Sequence, residues 1–178
     1  HVDLYQIHRP DHFTHPEEIA QAFNSLKSRG LVREFGVSNY TVAQTLALNA
    51  FVDNGLATTQ PQLSAAHLDP LRDGTLDLCM ESGITPLAWS ALAGGSIATG
   101  QGVSPALLAV LDELAARENV TRSAIAIAFV LAHPSHPVAI IGTQTPSRIT
   151  ELALATSVSL TRTDVYAIIQ ASDGSPLP

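Results

Sequence analysis

The sequence predicts an α/β fold of consecutive βαβ units, on three observations. Strand-like and helix-like stretches alternate five times along the 178 residues, which is the pattern of parallel βαβ units. No linker and no shift of composition interrupts the alternation, so one domain is expected over residues 1–178. The opening strand places apolar Val2, Leu4 and Ile7 around Tyr5 and Gln6. It reads as a mostly buried strand in a sheet covered on both faces.

Two architectures use such units. One is a five-stranded doubly wound open sheet. The other is part of a (β/α)8 TIM barrel, whose full length is roughly 250 residues or more. The chain opens on His1 inside a strand pattern, and no Gly-x-Gly-x-x-Gly turn follows that strand. Both features favour the barrel, with this chain as the C-terminal portion that supplies about the last five βα units.

The elements follow in order. After the first strand, Pro16, Glu17 and Glu18 open a helix with Ile19, Ala22, Phe23 and Leu26 at helical spacing, closed by Gly30. Leu31 to Val37 is the second strand, ending in Ser38-Asn39. Thr41 caps a helix whose apolar face includes Val42, Leu46 and Ala50. Leu56 to Leu63 carries the third strand, and Pro70 to Ser82 is a helix stopped by Gly83. Thr85 to Trp89 is the fourth strand, followed by Ser90 to Ser104, a loop with four glycines and no clear helix. Pro105 to Asn119 is a helix with Leu107, Leu108, Leu111 and Leu114 facing inward, and another begins near Thr121. Pro137 to Gly142 is the fifth strand. Helices over Ser147–Thr156 and from Thr161 through Ile169 complete the chain, before a frayed tail from Ser172 to Pro178.

Composition narrows the function. A hydrophobic content of 46% against 14% charged residues fits a compact core. A net charge of −7 with no basic stripe argues against nucleic acid. The longest apolar run, Ala124 to Ala132, is too short to span a bilayer. The single cysteine, Cys79, fits a reducing compartment, and a cytoplasmic protein is expected. No metal site is expected.

In parallel α/β folds chemistry sits where strands end. The first strand runs into His8-Arg9-Pro10-Asp11, so His8 is a site candidate; a merely hydrogen-bonded strand-end histidine is the alternative. The wider pattern is more specific. The run Asp3 to Asp11, a helix ending Lys27-Ser28-Arg29-Gly30, and Val32-Arg33-Glu34-Phe35-Gly36-Val37-Ser38-Asn39 resemble the aldo-keto reductase family in order and spacing. The likeness is greatest to bacterial oxidoreductases with His-Arg-Pro-Asp after this strand. Thr59-Gln60-Pro61-Gln62, Ala88-Trp89-Ser90-Ala91-Leu92 and Ile140-Ile141-Gly142-Thr143 fall where that family has cofactor-contacting segments.

The resemblance implies a (β/α)8 barrel that reduces a small-molecule carbonyl substrate with NADP(H). His8 matches the histidine that orients and polarises the carbonyl, as an imidazole N–H can. Ser38, Asn39 and Gln60 match the residues on the nicotinamide carboxamide, and Trp89 the aromatic on which the ring stacks. Ser90, Ala91 and Leu92 open the loop over the pyrophosphate. Gly142, Thr143, Gln144, Arg148 and Glu151 match the segment around the adenosine phosphate. Bland readings accompany these: Ser38-Asn39 as a helix cap, Trp89 as core, and Arg148–Glu151 as an i,i+3 surface pair. Gly142 and Gln144 depart from larger or charged residues in many relatives, which bears on the choice of NADP over NAD.

The family's catalytic tyrosine, aspartate and lysine lie on earlier strands. Tyr5, Tyr40 and Tyr166 do not match the proton donor, and Lys27, the only lysine, ends a surface helix. The expectation is therefore a cofactor-binding portion with one tetrad member, belonging to a longer reductase. A non-catalytic nucleotide-binding or regulatory module of the same fold is the alternative.

Overall fold

Strands and helices succeed each other as β1 (Val2–Ile7), α1 (Pro16–Ser28), β2 (Val32–Ser38), α2 (Val42–Asn49), β3 (Thr58–Gln60), α3 (Thr75–Ser82) and β4 (Thr85–Ala88). Then come α4 (Ser96–Thr99), α5 (Pro105–Glu118), α6 (Arg122–Leu131), β5 (Val138–Ala139), α7 (Pro146–Ala153) and α8 (Arg162–Asp173). The computed structural model describes residues 1–176. Of the tail expected to fray, Ser172 and Asp173 are helical, while Leu177 and Pro178 lie outside the described residues. Contacts divide the chain into two compact units, His1–Pro61 with Pro70–Leu87, and Gln62–Asp69 with Ala88 onward.

The first unit is a parallel ladder. Gln6 pairs with Gly36 and Ile7 with Val37, Gly36 with Thr58 and Ser38 with Gln60, and Thr58 with Thr85. Side chains alternate across a sheet, so this register separates two faces. Tyr5, Ile7, Phe35 and Val37 share the face that meets α1, where Phe23 stacks on Phe35 at 4.1 Å and meets Tyr5 edge-on at 6.5 Å. Gln6, Gly36 and Thr58 share the other face, with Ser38 and Gln60 one step further along. A Cβ on Gly36 would lie 2.0 Å from Thr58 Oγ1 and 2.9 Å from the Thr58 carbonyl, so only glycine fits there. Thr58 Oγ1 is itself buried without a hydrogen-bond partner among the described residues.

Local signals set the helix ends. The His15 ring accepts from the Glu17 N–H at 3.2 Å ahead of Pro16, and Gly30, one residue past the cap, has φ +68°. Thr41 and Gln44 form a capping box that starts α2 just after Asn39.

The second unit is organised around α6, whose residues Ser123 to Val130 are all buried. It packs against α4, α5, α7 and β5. A helix apolar on every side needs such surroundings, and this is the run too short for a membrane. Among the described residues no helix is long and apolar enough to cross one. Arg117 donates to both oxygens of Asp164 at 2.8 and 2.9 Å, tying α5 to α8. Those bonds, and the Thr161 hydroxyl and N–H, hold the Asp164 carboxyl well below the usual carboxylate range.

Several expectations need correction. β1 is not mostly buried: Val2 and Tyr5 are about half exposed, because β2 is its one ladder partner among the described residues. Leu46 is exposed, since the turn of α2 buries Thr45 and Leu48 instead. The helix expected over 70–82 breaks at Gly74, φ +86°, leaving a 3-10 turn at Asp69–Leu71 ahead of α3. The Ser90–Ser104 stretch holds a 3-10 turn at Ala93–Gly95 and then α4, because left-handed Gly94 and Gly95 restart the chain there. β5 is two residues long, Leu108 is half-buried, and α7 ends at Ala153 in a 3-10 turn.

Candidate active and cofactor-binding site

The first part of the site is a knot of hydrogen bonds where β1, β2 and β3 end. The last rung of each ladder leaves His8, Ser38-Asn39 and Gln60 at the same edge of the unit. The Ser38 hydroxyl, buried, donates to the Gln60 carbonyl at 2.9 Å, and the Asn39 N–H donates to the same oxygen at 3.2 Å. The Asn39 amide donates to the His8 carbonyl and to Ser38 Oγ, both at 3.0 Å. Asn39 stands at φ +59°, the left-handed region that asparagine tolerates better than most residues. Four residues picked from sequence therefore meet, with the His8 side chain exposed beside them.

Two neighbours frame the exit of β1. Asp11 accepts from the Phe13 N–H at 2.9 Å. That bond, more than the Thr14 hydroxyl, keeps the Asp11 carboxyl lower than usual. Tyr40 packs on the core, and burial foremost, then the Asp11 charge, push its phenol up.

The second part is a cleft of about 820 Å³ in the other unit, within the usual range of small-molecule sites. One wall is the turn after β4. Ser90 and Ala93 have φ of +56° and +51°, followed by Gly94 and Gly95 at +66° and +96°. The Ser90 hydroxyl accepts from the Gly94 N–H at 2.9 Å, which holds the turn closed on itself. The other wall runs from Ile140 through the start of α7 to Leu152. The Thr145 side chain at the head of α7 makes no cap hydrogen bond, and Pro146 fills the first turn. Arg148 is the third residue of that helix, and among the described residues no carboxylate pairs with it. The surface pair with Glu151 does not form.

Of the residues singled out from sequence, Ser90, Ala91, Leu92, Gly142, Thr143, Gln144, Arg148 and Glu151 all line this cleft. Trp89 is half-buried just outside the lining, and bridges to Gln62 in parallel register. Sequence reasoning missed Thr99 and Ser123, which also face the cleft. Ser123 carried a readable signal, a hydroxyl in the first turn of a helix that is apolar from Ala124 onward. The lining suits a dinucleotide: glycines allow close backbone approach, and uncapped N–H groups beside a guanidinium suit phosphate.

Residues 1–173 match the family model described as Aldo/keto reductase family. The chain belongs to this family. Its five strand–helix units are those of a (β/α)8 barrel, as in the crystal structure of a thermostable aldo-keto reductase, Tm1743, in complex with the inhibitor epalrestat. That structure superposes with a TM-score of 0.87 at 28% identity, covering 96% of this chain and 60% of the other. Among curated relatives, a 6-dehydroglucose reductase of Novosphingobium aromaticivorans is 44% identical over 99% of this chain and 59% of its own length. Oxidoreductase YdhF of Escherichia coli is 37% identical over all of this chain and 60% of its own. This aldo/keto reductase chain thus spans about 60% of the length of the curated relatives it matches.

Proposed function

We propose that this chain is the C-terminal part of a cytoplasmic NADP(H)-dependent reductase that converts aldehydes or ketones to alcohols. The observation that carries the reading is Arg148, unpaired at the uncapped start of α7 in a cleft whose opposite wall is the glycine turn. A guanidinium there opposes the helix dipole, and a bound phosphate removes the conflict. When bound, the dinucleotide supplies a hydride to the carbonyl carbon.

The chain's own residues do the rest. Arg148, with the N–H groups near Thr143 and Gln144, would hold the adenosine phosphate, and Glu151 would accept from hydroxyl or amino groups of the adenosine. Gly142 keeps that wall low, and the Ser90-Ala91-Leu92 turn would cover the pyrophosphate. Trp89 would offer its indole to the nicotinamide, and Ser38, Asn39 and Gln60 would hold the carboxamide. His8 would donate a ring N–H to the carbonyl oxygen as it gains charge. None of Tyr5, Tyr40 and Tyr166 matches the family's proton donor, so the donor would belong to a part of the parent protein outside these residues.

The test is NADPH oxidation with 4-nitrobenzaldehyde, and with a sugar aldehyde chosen from the name of the N. aromaticivorans relative. The full-length parent should turn over, and the isolated 178-residue chain should not. A parent that binds NADPH yet reduces neither would favour the nucleotide-binding module instead. Robust turnover by the isolated chain would overturn the missing donor.

A further inference from the structure

We propose that Arg122 is a positioning residue for the cleft: anchored by Asp112, its guanidinium clamps the carbonyl end of α4 and so fixes that wall against a bound dinucleotide, slowing its release. The clamp itself stands on geometry. Only its effect on release rests on the reductase reading above.

Left alone, α4 is a poor wall. It is a single turn, Ser96–Thr99, set between Gly95 at φ +96° and Gly100 at φ +75°, and no side chain caps its start. A turn that short has little stability of its own. Its near end is tied inward: the Ile97 side chain is fully buried, and the Ile97 N–H donates to the Leu92 carbonyl at 3.3 Å. The far end carries Ala98 and Thr99, which face the cleft, and left-handed Gly100 and Gly102 follow. There the Ser96 carbonyl accepts from the Gly100 N–H at 2.8 Å, and the Ile97 carbonyl accepts from Arg122 Nη1 at 3.3 Å.

Arg122 is set up for that carbonyl. It is the first residue of α6, where a positive charge works against the helix dipole. Asp112 on α5 offsets that cost, accepting from Nε at 2.6 Å and from Nη2 at 2.5 Å. The carboxylate takes one edge of the guanidinium and leaves Nη1 to reach α4. A Cβ on Gly100 would stand 3.4 Å from the same Nη1, so the guanidinium lies against the end of the turn as well as its carbonyl. The Arg122 side chain is 25% exposed, which shelters the bond from screening by solvent. One planar group thus joins α4, α5 and α6, which a lysine ammonium, a point charge on a flexible stem, does not do with fixed geometry. The next residue, Ser123, lines the cleft, so the clamp adjoins the site rather than lying remote from it.

Three variants of the full-length parent test the clamp. Arg122→Met removes the guanidinium and keeps the stem, Arg122→Lys keeps a charge for Asp112 without the fork, and Asp112→Asn removes the anchor. In the cofactor-free parent, hydrogen exchange over residues 96–102, read by mass spectrometry, should speed up about fivefold in Arg122→Met, as expected for one lost bond to a charged donor. Exchange in the middle of α5 and α6 should stay put. NADPH release, followed by stopped-flow fluorescence against excess NADP⁺, should also speed up about fivefold, with the association rate within about twofold. Arg122→Lys should rescue neither quantity. Asp112→Asn should speed release about threefold, and by less than about twofold once Arg122→Met is present, since both act through one contact.

Unchanged exchange over residues 96–102 in Arg122→Met would overturn the clamp. Faster exchange there, with NADPH release left within about twofold, would overturn its role in the cleft. Faster exchange throughout α5 and α6 would make Arg122 a general stabiliser, and full rescue by Arg122→Lys would reduce it to a surface charge; either result sinks the proposal. If the parent binds no NADPH, the reductase reading fails and the effect on release falls with it, while the exchange still decides whether Arg122 holds α4.

Discussion

At the ends of β1, β2 and β3, residues from three parts of the chain are set by ladder register and by hydrogen bonds that close among themselves. In the cleft of the other unit, the walls are a turn of left-handed residues and the uncapped head of α7, and Arg148 there meets no carboxylate. The first region is finished without a ligand; the second has donors waiting for an anion. One region is held by its own hydrogen bonds, and the other is left open to fit.

The largest expected effect breaks the rigid region at its base. Gly36→Ala would press a methyl onto Thr58, and backbone cannot yield cheaply, so a loss of about 3 kcal/mol or more is expected. Urea unfolding should show it as a lower midpoint, and a change under about 1 kcal/mol would mean the sheet gives way more easily than its register implies.

Next comes the chemistry of that region. His8→Ala in the parent should lower kcat/KM for 4-nitrobenzaldehyde on the order of a hundredfold, with NADPH affinity nearly unchanged. Equal losses in both would make His8 structural.

The open region should respond in the converse way. Arg148→Ala is expected to weaken NADPH binding about 10- to 100-fold and to spare NADH, since only NADPH carries the 2′-phosphate. Calorimetry with both cofactors separates the two outcomes, and an equal effect would detach Arg148 from that phosphate.

The smallest effect sharpens the contrast. Ala93 sits at φ +51° in the cleft turn, where an L-residue is strained. Ala93→Gly relieves roughly 1–2 kcal/mol of that strain and gives back some in unfolded-chain entropy. A gain below about 1 kcal/mol is expected by thermal unfolding, and a loss would show the methyl is held by contacts.

The two regions were not equally legible in the sequence. Thr41 was expected to cap its helix and does, and the helices expected to begin near Thr121 and Thr161 do so, with both side chains as caps. His8 was legible as a polar residue where a strand ends, whereas Ser38, Asn39 and Gln60 were singled out only through the family resemblance. Their mutual bonds were not foreseen, since they depend on register between strands, which no single strand encodes. The Ser90–Ser104 stretch was misread as helix-free because four glycines mask a short helix that left-handed residues permit. Exposure of β1 was missed for another reason. Burial of a strand depends on what lies beside it, and Val2 and Tyr5 look alike in either case.

The contact between Gly36 and Thr58 also has a history written into it. A lineage carrying this pair cannot replace the glycine in one step, and shortening Thr58 removes only the hydroxyl at 2.0 Å. The carbonyl at 2.9 Å stays, because every residue has one. Descendants can explore position 58 long before position 36, and drift at the second requires that β3 first shift as a whole. Across a collection of related sequences, position 36 should therefore stay glycine while its neighbour varies among small side chains.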